Sequence, residues 1–141
     1  MTGADQDLAS TEVLGPEFQL AIEEAMLHTA GAGVRIRTWQ FAEPVVVLGR
    51  SSQVTRETHR EYCDANEIEI YRRCSGGATV VGGPGCLMYT VVLSKAEAPH
   101  LGMIDAAHDF VISRVLRATQ TQVPDAERQG ICDLTWNDRK F

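Results

Sequence analysis

An α+β fold with largely antiparallel strand pairing is what this sequence predicts, and three observations predict it. Two stretches, one starting at Phe18 and one at Ile104, carry apolar residues at helical spacing. Short strand-like runs outnumber these helices, and several of the runs are joined by short links, which favours antiparallel neighbours over a doubly wound sheet. With 141 residues, 44% of them hydrophobic, the chain has the material for one domain. A domain of roughly 150 residues buries about 68–70% of its unfolded surface. This composition excludes a disordered chain, and no apolar run reaches the ~18 residues that a membrane-spanning helix needs.

The elements follow in order. Residues 1–15 read as a flexible, polar lead-in without the layout of a secretory signal. Pro16 suits a first helical turn, and Phe18, Ile22, Ala25, Met26 and Thr29 recur at helical spacing before Gly31, so Glu17–Thr29 is predicted helical with those residues on its buried face. Val34–Trp39 alternates Val, Ile and Thr against Arg35, Arg37 and Trp39, the pattern of a half-exposed strand. Val45–Leu48 is a short buried strand after the Pro44 break. Arg56–Asn66 reads as one surface helix, Ile68–Tyr71 as a strand running into Arg72-Arg73, and Leu87–Leu93 as a strand beyond a glycine-rich segment. Met103–Thr119 is a second amphipathic helix, with Ile104, Ala107, Val111, Val115 and Leu116 on one side. Pro124–Gly130 is a loop, and Leu134–Trp136 with Arg139–Phe141 form a hairpin turning at Asn137-Asp138.

Thirteen basic residues against 19 acidic give a net charge of −6, a balance that repels phosphate backbones and argues against nucleic acid as a partner. Cys63, Cys74, Cys86 and Cys132 lie far apart, with no C-x-x-C pair, so a zinc site has no support and free thiols in a reducing cytoplasm are expected. Cys86 and Cys132 are possible nucleophiles only with a lowered pKa, and small buried thiols are commoner.

The segment from Tyr71 to Gly85 holds the most chemistry. Five of the ten residues from Gly76 to Gly85 are glycine, which lets successive N–H groups line one concavity. Arg72 and Arg73 precede them with planar donors suited to phosphate or carboxylate, and Ser75 adds a hydroxyl. No G-K-[ST] follows, which excludes a Walker A loop, and no G-x-G-x-x-G opens a helix. A glycine-rich hairpin with two exposed arginines fits the composition equally well. Lys140, one of only two lysines, is a compact positive charge that could stabilise a developing anion, or simply a solvated strand residue.

Four ordered blocks carry a resemblance. Pro16–Glu24 resembles the opening helix of the lipoate–protein ligase A family, and Val45–Gln53 its V-V-I-G-R-x-Q strand. Arg72–Ala78 is similar to its R-R-x-S-G-G-G signature, and Asp133-Leu134 with Arg139-Lys140 to its D-L…R-K segment. The match covers about Pro16 to Phe141. It implies a catalytic domain over 16–141, truncated on its C-terminal side, with a mixed sheet flanked by helices, like the class II synthetase and biotin-ligase fold.

The resemblance also implies an activity: ATP and Mg2+ turn lipoate into lipoyl-AMP. The lipoyl group then passes to a lysine on a lipoyl-carrier domain of a 2-oxoacid dehydrogenase complex, or on the glycine-cleavage H protein. Carried over by position, Arg73, Ser75, Gly76, Gly77, Ala78, Thr79, Val80 and Val81 would serve the nucleotide. Lys140 would meet both the acyl carboxyl and the α-phosphate, and it would share one anion hollow with the Arg72 turn. Leu20, Ile22, Arg50 and Arg72 would serve lipoate, and Asp133 is a candidate metal ligand. The sequence departs from the pattern at Ala78, the third glycine of the signature. It departs again at Gly82-Gly83, where many members carry His-Asp, and at Cys86, where Asn is common. Two other readings are an octanoyl or lipoyl transferase taking its acyl group from a carrier thioester, and a non-catalytic, truncated lipoate-binding fragment.

Overall fold

Val45–Leu48 is the centre around which the first part of the chain is built. All four residues are buried, as expected of a continuous apolar run covered on both faces. The structure, a computed structural model, describes residues 14–96 and 98–141; the predicted lead-in lies outside them except for Leu14 and Gly15. The chain divides into two units, one of residues up to 30 together with 35–92, the other of 31–34 together with 93–141.

The first unit runs α1 (Pro16–His28), β1 (Val34–Trp39), β2 (Val45–Leu48), α2 (Val54–Glu57), α3 (Arg60–Ala65), β3 (Glu69–Arg72), β4 (Val80–Gly82) and β5 (Met88–Leu93), the end residues Val34 and Leu93 belonging to the second unit. β2 is the middle strand of a three-stranded sheet in the order β3-β2-β4. β3 runs parallel to it, with Val45 opposite Glu69 and Leu48 opposite Arg72. β4 runs antiparallel, with Val45 opposite Gly82 and Val47 opposite Val80. β1 pairs with β5. Leu20, Trp39, Phe41, Val45 and Val47 form the core, with Tyr71 and Met88 packed against it. Trp39 and Phe41 meet edge to face, their ring centres 4.8 Å apart.

The second unit holds a 3-10 turn (Pro99–Gly102), α4 (Ile104–Thr119), β6 (Glu127–Gln129), β7 (Asp133–Trp136) and β8 (Arg139–Lys140). The three strands form an antiparallel sheet in that order. Asn137 and Asp138 both have positive φ, 51° and 57°, the geometry of a two-residue hairpin turn of the primed type, so the predicted hairpin stands. Ile112, Leu101, Ala126 and Leu134 are buried. Arg128 ties this unit together, pairing with Asp109 at 2.5 Å and donating to the Ile131 carbonyl.

The α+β class and the largely antiparallel pairing are as predicted, and six details differ. The helix predicted over 56–66 is two helices. Thr58 is extended (φ −135°, ψ 151°), and its N–H and hydroxyl both return to the Val54 carbonyl, closing α2 after one turn. The link between β2 and β3 is thereby long enough for a parallel crossover. β4 lies inside the glycine-rich segment, and β6 lies inside the predicted 124–130 loop; each is a short strand held by a neighbour rather than by its own pattern. On α1, Gln19 and Leu20 face inward while Phe18, Ala25 and Thr29 are exposed. The cause is polar: the Gln19 side chain accepts from Arg37 and donates to the Gln40 carbonyl at 3.1 Å. The same pair turns β1 over. Arg37 lies 5.5 Å over the Trp39 ring, and Ile36, on the apolar side of the alternation, is 65% exposed. Along α4, the deeply buried residue is Ile112, and Ile104 is exposed.

Candidate active site

The segment after β3 is shaped by its arginines. Arg72 donates through Nη1 to the carbonyls of Gly49 (2.7 Å), Arg50 (3.2 Å) and Ser52 (2.8 Å), so it organises the turn that follows β2. Arg73 donates to the carbonyls of Val47, Gly76 and Ala78, the shortest being 2.6 Å from Nη2 to Gly76. The Ser75 carbonyl accepts from the Arg50 N–H at 2.9 Å. The Gly77 carbonyl lies against Gly49, where any Cβ would stand 1.9 Å from its oxygen. Four successive carbonyls, 75 to 78, are thus turned inward.

In a trans peptide, the carbonyl of one residue and the N–H of the next point opposite ways. Inward carbonyls at 75–78 therefore send the N–H groups of Gly76, Gly77, Ala78 and Thr79 outward. Gly77 makes this possible with φ +93°, a conformation that L side chains rarely adopt. Ser75–Ala78 are exposed, and the N–H groups of Gly76, Gly77 and Ala78 meet no acceptor among the described residues. Neither Arg72 nor Arg73 meets a carboxylate among the described residues; Arg73 grips the loop itself, and Arg72 grips the turn that the loop packs against. A row of outward N–H dipoles with the Arg73 guanidinium on its carbonyl side is a place for a phosphate or carboxylate.

The fourth N–H is taken. Glu57, on α2, accepts from the Thr79 N–H (3.3 Å) and hydroxyl (2.6 Å) through one oxygen, and from the Gln53 N–H (3.1 Å) through the other. The Thr79 hydroxyl, then Ser52 and the Gln53 N–H, hold its carboxyl down at about 2. Glu57 is absent from the residues singled out in the sequence. Only the three-dimensional path of the loop reveals it, because 22 residues separate it from Thr79.

The other candidates fall as follows. Arg50 is at the turn that Arg72 holds, and its side chain is exposed. Leu20 is in the core, and Ile22 is half-buried on α1. Val80 and Val81 lie on β4, 40% and 74% exposed. A cleft of about 850 Å³ runs along β3 and α3, lined by Cys63, Asp64, Ile68, Ile70 and Arg72 among others, and includes none of Gly76–Val81. Burial, then Glu23 and Glu24, push the Cys74 thiol up, the opposite of an activated nucleophile, whereas Cys86 and Cys132 are exposed.

In the second unit, Lys140 lies opposite Thr135 across β7 and β8, and its ammonium pairs with Asp133 at 2.7 Å. The Asp133 hydrogen bond and charge raise the lysine pKa, so Lys140 is a cation at neutral pH. Asp133 is thereby engaged, and no group of three His, Cys, Asp or Glu able to hold a metal occurs among the described residues.

The model of the lipoyl protein ligase A/B catalytic domain matches residues 15–141. The chain belongs to this family. Among its relatives, octanoyltransferase LipM of Exiguobacterium sp. is 31% identical over 99 residues, 68% of this chain and 36% of LipM. Lipoate–protein ligase 1 of Staphylococcus aureus is 26% identical over 136 residues, 95% of this chain and 39% of that protein. The family member described here therefore spans well under half the length of these curated relatives.

Two solved structures share its fold. A lipoate–protein ligase A bound with ATP has a TM-score of 0.76 at 21% identity, covering 91% of this chain and 56% of that one. A bipartite lipoate protein ligase of Thermoplasma acidophilum, described with its E2 lipoyl domain, has a TM-score of 0.63 at 20% identity, covering 91% and 51%. The predicted family and fold class both stand.

Proposed function

We propose that this chain is the nucleotide- and acyl-binding part of a lipoate–protein ligase, in which lipoate and ATP form lipoyl-AMP and the lipoyl group passes to a lysine of a lipoyl-carrier domain. The observation that carries this reading is the outward N–H row at Gly76–Ala78, whose carbonyls Arg73 holds from behind. Joining a carboxylate to an α-phosphate brings two anions together, so fixed dipoles and cations lower the barrier most where negative charge accumulates. In this reading, the N–H row receives phosphate oxygens, with Ser75 and Val80–Val81 flanking it. Arg73 holds the row open and supplies positive charge, and Arg72 orders the turn against which the loop packs. Lys140, charged at neutral pH and released from Asp133, is the cation for the acyl carboxylate and α-phosphate. Leu20 and Ile22 line the acyl chain, and Arg50 faces its carboxylate end. Transfer then needs only a neutral acceptor lysine beside the activated acyl group, so no residue of the chain becomes covalently modified. The related ligase A bound with ATP and the bipartite ligase described with its E2 lipoyl domain support ATP as co-substrate and a lipoyl domain as acceptor. Mg2+, when bound, would offset phosphate charge, with Asp133 the carboxylate proposed to hold it.

Mass spectrometry of the protein incubated with lipoate and ATP tests this reading. Lipoyl-AMP is expected, and Lys140→Ala is expected to lower its formation by about 10²–10³-fold, the usual cost of one donor to a developing charge. Parental rates in that variant would remove Lys140 from the chemistry.

The likeness to an octanoyltransferase favours a second reading, acyl transfer from a carrier thioester. That reaction needs a reactive thiol, and Cys74 is held protonated. A thioester adduct on Cys86 or Cys132 after incubation with octanoyl-carrier protein, with no AMP released from ATP, would select the transferase. Tight lipoyl-AMP binding with neither reaction would select a binding fragment.

A further inference from the structure

We infer that Glu57 is a positioning residue for the N–H row, an inference that rests on the proposed nucleotide reading of the loop. The row has two ends. At Ser75 it is pinned by the Arg50 N–H. At Thr79 it is pinned by the Glu57 carboxylate, which takes both the N–H and the hydroxyl of Thr79 while its other oxygen is anchored on the Gln53 N–H. Gln53 closes the turn that Arg72 organises through the carbonyls of Gly49, Arg50 and Ser52. Glu57 therefore joins that turn directly to the exit of the glycine-rich loop.

Two consequences follow for the ligand. Thr79 is withdrawn from anion binding, so the open donors are Gly76, Gly77 and Ala78, and a phosphate has one register to occupy. The row is also ordered before the ligand arrives, which lowers the entropy lost on binding. Without Glu57, three N–H groups on a glycine-rich segment lose one of their two fixed ends. Charge-assisted hydrogen bonds of this kind contribute enough for their loss to be read as a change in affinity on the order of tenfold. The hydrogen bonds that Glu57 accepts favour its ionised form, so the brace persists into mildly acidic solution.

Amide hydrogen exchange at Thr79 and calorimetric titration with ATP, both on the 141-residue chain, test this. Glu57→Ala is expected to speed exchange at Thr79 and to weaken ATP binding by about tenfold. Glu57→Gln, whose single carbonyl oxygen keeps Thr79 but gives up the charge and the Gln53 anchor, is expected to fall between the parent and Glu57→Ala, within about threefold of the parent. A Glu57→Ala protein that binds ATP as tightly as the parent, or a Glu57→Gln protein as weak as Glu57→Ala, would overturn the inference, as would unchanged exchange at Thr79. If the parent itself bound no ATP, the nucleotide reading would fail, and the exchange measurement would still decide whether Glu57 fixes Thr79.

Discussion

Glu57 and Tyr71 mark the two extremes of titration in the first unit, and each has a local cause. Glu57 sits at about 2 because donors from Thr79, Ser52 and Gln53 prefer its charged form. A carboxyl whose folded pKa lies below its ordinary 4.5 contributes stability that is fully present above about 4.5 and lost as the pH falls towards 2. A carboxyl carbon NMR titration should therefore find Glu57 still ionised at about pH 3.5, where ordinary glutamates are protonated; a midpoint at the ordinary value would contradict the bracing seen here. Tyr71 moves the other way. Its hydroxyl donates to Glu69 at 2.5 Å, and that bond, with burial, pushes its pKa up to about 12. Its contribution to stability is complete below pH 10 and declines as the pH rises through 12. Ultraviolet titration should show a tyrosine ionising near 12, and Glu69→Gln should bring it back towards 10.

At the level of elements, the turn after β2 and the loop after β3 work as one piece. Gly49 has no room for a side chain because the Gly77 carbonyl occupies that place, and the same carbonyl must point inward for the next N–H to point out. Gly49→Ala should force the loop away from the turn, destabilise the protein by about 1–3 kcal/mol and free the amides of Gly76–Ala78 from their common orientation. Thermal unfolding, read together with ATP affinity, checks this; a variant matching the parent in both would show that the approach of Gly77 to Gly49 is dispensable. Gly77, with φ +93°, is bound to the same geometry, so the spacing of glycines in this region reflects contact between two segments rather than looseness within one.

For the molecule as a whole, the sequence is legible wherever one segment decides its own structure. Val45–Leu48 is an apolar run and a buried strand, and Asn137-Asp138 accepts the positive φ that a tight hairpin needs. It is illegible where distant residues decide. The inward faces of α1 and β1 are set by Gln19 meeting Arg37, so counting apolar positions chooses Phe18 and Ile36, which are exposed. β4 and β6 are strands by virtue of β2 and β7 beside them. In the site, the motif singles out this loop and offers its arginines as donors to an anion; what the sequence does not show is that in the folded chain Arg72 grips the carbonyls of the neighbouring turn and Arg73 those of the loop itself. Glu57 is beyond reach of the motif altogether, since the helix carrying it reads as part of one longer helix.

The central claim is that Gly76, Gly77 and Ala78 present their N–H groups together to phosphate, and it is tested most directly by following the amide signals of the 15N-labelled chain during titration with ATP. The account predicts saturable shifts at these three residues, with Thr79 moving far less because Glu57 holds it. Shifts confined to other parts of the chain, or none at saturating nucleotide, would contradict it.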